Sequence, residues 1–311
     1  MFARQVLTLY FVPMTNKIAL PIKLMRRERA HAARSVPPEA FFLCSAIFHY
    51  LGPAFAVLLF ARIDVLGVAW LRIASAAVIF AFWKRPWRMF AELSAPEKRI
   101  VVALGFVLAA MNVCFYLAIN RLPLGTVGTI EFLGPIALAA LGVRTMRNLA
   151  ALLLACGGVF LLTSMRISGE PMGYVFAFAN CALFVLYILL GHRIAASGGR
   201  GGVERLAMAM LIAGIVITPV GLRSASVALL DPMLLLAGAG VGICSSVIPY
   251  ICDQFAMARL SKATFALMLA LLPATACLAG LFVLRQAPSL YELTGVGAVI
   301  AGVALKRSVN D

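Results

Sequence analysis

Long, continuously apolar runs alternate along this chain with short polar segments that are mostly basic. The runs fall at residues 41–60, 66–83, 100–119, 125–143, 148–165, 173–190, 206–222, 233–252, 264–284 and 291–305. A helix crossing a hydrocarbon core needs roughly 20 mostly apolar residues, so each run predicts one transmembrane helix. A transmembrane barrel would alternate apolar and polar positions, and these runs do not. The expected fold class is therefore an all-α membrane protein with ten transmembrane helices. Composition agrees: the 311 residues are 63% hydrophobic and 13% charged, with a mean hydropathy of +1.00. A soluble domain is about half apolar and a quarter charged, so a lipid bilayer is the solvent this chain fits.

The net charge of +15 raises the prospect of nucleic-acid binding, and the placement of the charges decides against it. Of 27 Lys and Arg, 21 lie before residue 41 or in the segments 84–99, 144–147, 193–205, 259–262 and 306–307. Arg62, Arg121, Arg166, Arg223 and Arg285 occupy the alternate loops, and Arg72 lies inside a helix. Basic residues accumulate in cytoplasmic loops, so the asymmetry predicts both termini in the cytoplasm and no nucleic-acid partner. The expected location is the inner (plasma) membrane.

Residues 1–40 read as a basic cytoplasmic extension. Its apolar patch, Val6 to Val12, is too short to span and lacks a small-residue cleavage pattern, so it is not read as a signal peptide. A start of translation at Met14 or Met25 is the alternative, the second opening directly onto Arg26 and Arg27. The seven cysteines all lie in apolar runs without paired ligand spacing, which predicts small packing residues rather than disulfides or a zinc site. No cofactor is implied.

Sliding the chain on itself by 138 residues aligns Arg121-Leu122, Thr126, Pro135 and Gly142 with Arg259-Leu260, Thr264, Pro273 and Gly280. Six further residues bring Gly158-Val159 onto Gly302-Val303. The chain thus reads as two five-helix repeats, 41–167 and 172–305, followed by a cytoplasmic tail, 306–311. Because five is odd, the second repeat enters the bilayer in the opposite sense. Such inverted repeats build secondary transporters around a midplane site.

An ionisable group at the bilayer centre costs about 2.5–3.5 kcal/mol even on lenient scales, so each demands a partner, a watery cavity or a role. Glu131 sits seven residues into the fourth run, roughly 10 Å deep at 1.5 Å per residue. A carboxyl there can alternate between protonated and charged forms as a cavity opens to either side, binding a coupling proton or a substrate amino group. Arg72, near mid-depth in the second helix, suits a substrate carboxylate or would neutralise Glu131. His49, mid-helix in the first run, suits a proton relay. Asn112, Tyr116, Asn180, Tyr187, Ser245, Ser246 and Tyr250 are polar groups whose hydrogen bonds must be met by protein, water or substrate. Asp253 reads as an interfacial, structural charge at the inner end of the eighth run. Pro135 and Pro273 each free a backbone carbonyl and are expected hinges. Glycines 157, 158, 295, 297 and 302 predict close helix contact, within the chain or across a homodimer. The three histidines are scattered and no Gly-Lys dipeptide exists, so neither an intramembrane enzyme nor a P-loop ATPase is expected.

Several stretches resemble the drug/metabolite transporter superfamily in its EamA branch, with the nearest likeness to threonine/homoserine exporters. They are Asn112–Pro135 (NVCFYLAINRLPLGTVGTIEFLGP), Ile248-Pro249-Tyr250 and Ala256–Pro273 (AMARLSKATFALMLALLP). Val68–Arg72 (VAWLR), Arg85–Arg88 (RPWR) and Tyr187–Arg193 (YILLGHR) extend the likeness over nearly everything after residue 41. The resemblance implies two inverted halves, a central cavity, and export of an amino acid or similar solute driven by protons. Leu272 stands where those exporters commonly carry Glu, and Tyr50 and Val57 where they tend to carry Gln and Lys. An apolar, aromatic or drug-like cargo is therefore the alternative to an amino acid.

Overall fold

In the computed structural model, the described residues are 36–122, 124–140, 145–162, 170–269, 271–272, 275 and 290–305. Every described element is helical. In chain order they are α1 (Pro38–Leu59), α2 (Val65–Lys84), α3 (Pro86–Glu92), α4 (Ala95–Ile119), α5 (Leu124–Ala140), α6 (Met146–Leu162) and α7 (Pro171–Ala195). Then follow α8 (Gly199–Gly221), α9 (Ser226–Leu230), α10 (Pro232–Gly242), a π-helical turn (Ile243–Val247), α11 (Ile248–Met257), α12 (Lys262–Met268) and α13 (Leu290–Leu305). Five continuous helical stretches among the described residues are long and apolar enough to cross a bilayer: Val65–Lys84, Ala95–Ile119, Pro171–Ala195, Gly201–Gly221 and Pro232–Met257.

Helix starts that hydropathy places too late are set by caps. The fourth helix begins at Ala95 rather than 100 because Glu97 reaches back to the Ser94 amide (3.0 Å) and hydroxyl (2.6 Å), giving the first turn its missing partners. Asp64 accepts from Leu66 N at the head of α2, and Asp231 accepts from the Met233 and Leu234 amides at the head of α10. Two segments read as loops contain short helices, α3 and α9. Arg85 ends α2 in the left-handed region (φ 46), the C-cap geometry more usual for glycine, and turns the chain into α3. The Lys84 ammonium lies 4.2 Å above the Trp83 ring, and Trp87 is exposed beside it. Amphipathic aromatics of this kind sit at the membrane–water interface. Phe82, Met146 and Leu230 are each more than 80% exposed, which a lipid-facing surface accommodates and an aqueous one does not.

The largest contacts pair α6 with α13, α4 with α7, α2 with α8, and α1 with the stretch from α10 through α11. Each pair runs antiparallel. Arg147 Nε donates to the Leu305 carbonyl (2.7 Å), while Gly302 lies against Ala151 and Ala155. Gly173 abuts Arg121 and Leu122, Gly67 abuts Ser224, and Gly214 abuts Ala77. Phe41 stacks on Phe255 at 5.1 Å, and Gly52 faces Ser245. Of the glycines expected to give close contact, Gly302 does so inside the chain, whereas Gly157 and Gly297 face open space.

The two Arg-Leu turns close opposite ends of this bundle. Arg259 donates to the Val36 carbonyl (2.7 Å) and lies over Phe41 at the head of α1. At the far end of α1, about 33 Å away at 1.5 Å per residue, Phe60 meets Tyr116 (5.9 Å). Tyr116 lies five residues before Arg121, which sits 3.6 Å from Glu170. On the Arg259 side, Arg205 and Glu97 tie the head of α8 to the head of α4.

Candidate functional site

A proline shapes the middle of the bundle. In an α-helix the amide of residue i+4 satisfies the carbonyl of residue i, and proline has no amide to give. Pro249 therefore deprives the Ser245 carbonyl of its helical donor. At Ser245 the consequence is visible. The helix loosens into the π turn, and Arg72 of α2 donates Nη2 to the freed Ser245 carbonyl (2.8 Å) and Nε to Ser246 Oγ (2.9 Å). The approach requires glycine twice. A Cβ on Gly242 would lie 2.8 Å from the Arg72 carbonyl, and one on Gly52 would lie 1.9 Å from Ser245 Oγ.

Arg72 is buried, and so are two carboxylates, Glu131 and Asp253. No ion pair joins Arg72 to either one among the described residues. Asn180 Nδ2 donates to Glu131 Oε1 (3.0 Å). Asp253 accepts from Ser45 Oγ (2.6 Å) and from Tyr187 OH (2.7 Å), one on each carboxylate oxygen. Asn180, Phe184 and Tyr187 follow at helical spacing and so share one face of α7. That face lines the path between the carboxylates. Phe184 and Tyr187 lie nearly parallel (ring centroids 5.9 Å), Tyr250 packs on Tyr187 at 5.3 Å, and His49 meets Phe184 at 6.4 Å. The Arg72 guanidinium lies 5.9 Å from the centroid of the Tyr116 ring.

Depth separates these groups into two layers. Arg72, Asn112 and Glu131 each lie seven residues from the Arg121 end of their helices, and Tyr116 lies three. Asp253 lies four residues from the Arg259 end of its own. Tyr187 and Tyr250 stand between.

Four buried polar atoms of the middle lack partners among the described residues: Tyr116 OH, Tyr250 OH, Ser245 Oγ and Asn180 Oδ1. An unsatisfied buried polar group costs about 1–3 kcal/mol, which makes these four atoms candidate partners for a polar guest. Asn112 is buried too, but spends its Nδ2 on the Leu108 carbonyl of its own helix (2.8 Å). Gln254, fully buried beside Asp253, has neither amide atom bonded.

Of the residues singled out from sequence, Glu131, Arg72, Asn112, Tyr116, Tyr187 and Tyr250 are buried in the bundle, and His49 is half-buried beside Phe184. Pro135 lies inside α5 against a small apolar cavity lined also by Phe132, Ile136, Ala139, Leu152 and Ala155. Pro273 lies outside the described residues, as do the side chains of Tyr50 and Val57 and the extension at 1–35. Asp253 needs correction. Its helix continues to Met257 instead of ending at 252, and Asp253 is buried within the bundle rather than lying at the end of its helix. Ser45 was not singled out, and a lone serine in an apolar run carries no signal without its partner.

Three comparisons bear on this arrangement. Residues 171–307 match the EamA-like transporter family. The threonine/homoserine exporter RhtA of Escherichia coli (strain K12) is 31% identical over 258 residues, covering 80% of this chain and 84% of the exporter. Its counterpart in Salmonella typhimurium (strain LT2) is 31% identical over 257 residues with the same coverage. A solved crystal structure of a protein 18% identical superposes with a TM-score of 0.65, covering 86% of this chain and 96% of the other.

Proposed function

The chain belongs to the EamA-like transporter family, and from that premise we propose that it exports a zwitterionic amino acid of the threonine or homoserine kind by exchange for protons. It is a multi-pass inner-membrane transporter, not an enzyme, and its relatives support export of small metabolites. The observation that carries the finer reading is the buried set of one guanidinium, two carboxylates and unpartnered hydroxyls. A free amino acid presents the complementary set. Its carboxylate matches the forked donors of Arg72, its ammonium matches Glu131, and a side-chain hydroxyl matches Tyr116, Tyr250 or Ser245.

One guanidinium against two carboxylates leaves a surplus negative charge that low dielectric does not tolerate. A proton or an ammonium group on Glu131 removes it, and the two cannot occupy one carboxylate together. Competition of this kind is what couples export to proton entry.

Alternating access is the motion we assign to the site. It is supported by the internal repeat and by the packing, because exchanging the two five-helix halves maps the α1 contact with α10–α11 onto that of α4 with α7. The same exchange returns α6–α13 and α2–α8 to themselves. The basic-residue asymmetry supports cytoplasmic termini.

The test is reconstitution of the purified protein with a pH-sensitive dye inside the vesicles and a panel of amino acids, aromatic solutes and antiseptic cations outside. Threonine or homoserine is expected to evoke proton movement. A response to aromatic or cationic solutes alone assigns the site to a drug-like cargo instead.

A further inference from the structure

We propose that Asp253 is a second proton-binding site, on the inner side of the tyrosine layer, which takes the proton displaced from Glu131 and passes it to the cytoplasmic face beside Gln254. The proposal rests on the exporter reading above only for the source of the proton.

Three placements carry it. First, Asp253 is 4% exposed and, among the described residues, no cation pairs with it; its carboxylate accepts from Ser45 of α1 and Tyr187 of α7. Two neutral hydroxyls do not cancel a buried charge. Arg72 is held by Ser245 and Ser246, a layer further out. Second, Tyr250 packs at 5.3 Å on Tyr187, which donates to Asp253, and its buried hydroxyl has no partner among the described residues. A hydroxyl that can donate and accept is what a proton needs to cross from one carboxyl to the other. Third, the next residue toward the cytoplasmic end, Gln254, buries an unbonded amide where two helices lack side chains. A Cβ on Gly202 of α8 would lie 2.6 Å from Gln254 Oε1, and one on Gly191 of α7 would lie 3.7 Å from its Nε2. A side chain at Gly202 would press on the amide. The amide thus lies against the first turn of α8 at Gly202, three residues before Arg205, which pairs with Glu97.

The proton count balances without a further reactant. Asp253 gives its own proton to water at the cytoplasmic face and takes up the one that the substrate ammonium displaces from Glu131. One proton thus leaves per substrate bound, and the loaded transporter turns outward with Glu131 ionised against the ammonium and Asp253 protonated.

Infrared titration of the lipid-reconstituted protein, with pH alone as the probe, tests this independently of any cargo. Two protonated-carboxyl bands are expected. Glu131→Gln removes one, Asp253→Asn removes the other, and Asp253→Glu shifts the second instead of removing it. Gln254→Leu keeps the second band but slows its exchange in deuterated buffer. The proposal fails if Asp253→Asn leaves every titrating band unchanged, or if Gln254→Leu leaves the exchange rate untouched. Should the bands behave as expected while no amino acid evokes proton flux, the exporter reading falls and the protonation site stands.

Discussion

Glu131→Gln is expected to abolish proton-driven export while the protein remains folded. Glutamine keeps the shape of the side chain and still accepts from Asn180 Nδ2, so the local hydrogen bond survives. What disappears is the negative charge that an ammonium group seeks. A hydrogen bond to a charged group contributes about 1.5–3 kcal/mol, so substrate affinity should fall roughly 10- to 150-fold. The pH response separates this from a general loss of function. In the wild type, proton and ammonium compete for one carboxylate, so apparent affinity strengthens as pH rises and the proton leaves. The glutamine variant should bind weakly with no such slope. Calorimetric binding at several pH values measures both effects, and unchanged affinity with an unchanged slope removes Glu131 from the site.

Arg72 should be the most costly position of the interior to alter. Its guanidinium satisfies the Ser245 carbonyl that Pro249 leaves without a donor, and also the Ser246 hydroxyl. Arg72→Met would orphan both and leave Glu131 and Asp253 without a compensating cation. Two hydrogen bonds from a charged group are lost, each worth about 1.5–3 kcal/mol, together a large part of the stability of most folded proteins. Low yield and a lowered Tm are therefore expected of Arg72→Met. Arg72→Lys keeps the charge but not the fork, so it should fold close to normally yet bind a carboxylate substrate far more weakly. A lysine variant that transports as well as the wild type contradicts the role given to the fork.

Much of this was legible in the sequence, and the failures have physical causes. Continuous apolar runs place the described spans within a few residues, because lipid requires every backbone group to be satisfied inside a helix. Glu131, Arg72 and His49 stand out because ionisable residues in such runs are rare. Helix ends are harder, since caps rather than hydropathy set them. The Ser94–Glu97 box lengthens α4 at its start, and α11 runs five residues past the fall in hydropathy. That second error concealed Asp253. A further signal was present and unused. Proline follows Ser245 by four residues, the spacing that strips a carbonyl of its helical donor. Reading proline as the cause of a free carbonyl, rather than as a bend, would have pointed to the Arg72–Ser245 contact. Partners such as Ser45 and Asn180 depend on which helices touch, and periodicity does not contain that.

The account turns on two oppositely oriented halves that share this interior, and labelling from both sides of the membrane tests it most directly. In a variant free of native cysteines, a cysteine placed at position 121 should react with an impermeant maleimide only from outside the cell. One placed at position 259 should react only in inside-out vesicles. Reaction of both from the same side would mean that the halves are not inverted, and a shared site with alternating access would have no structural basis.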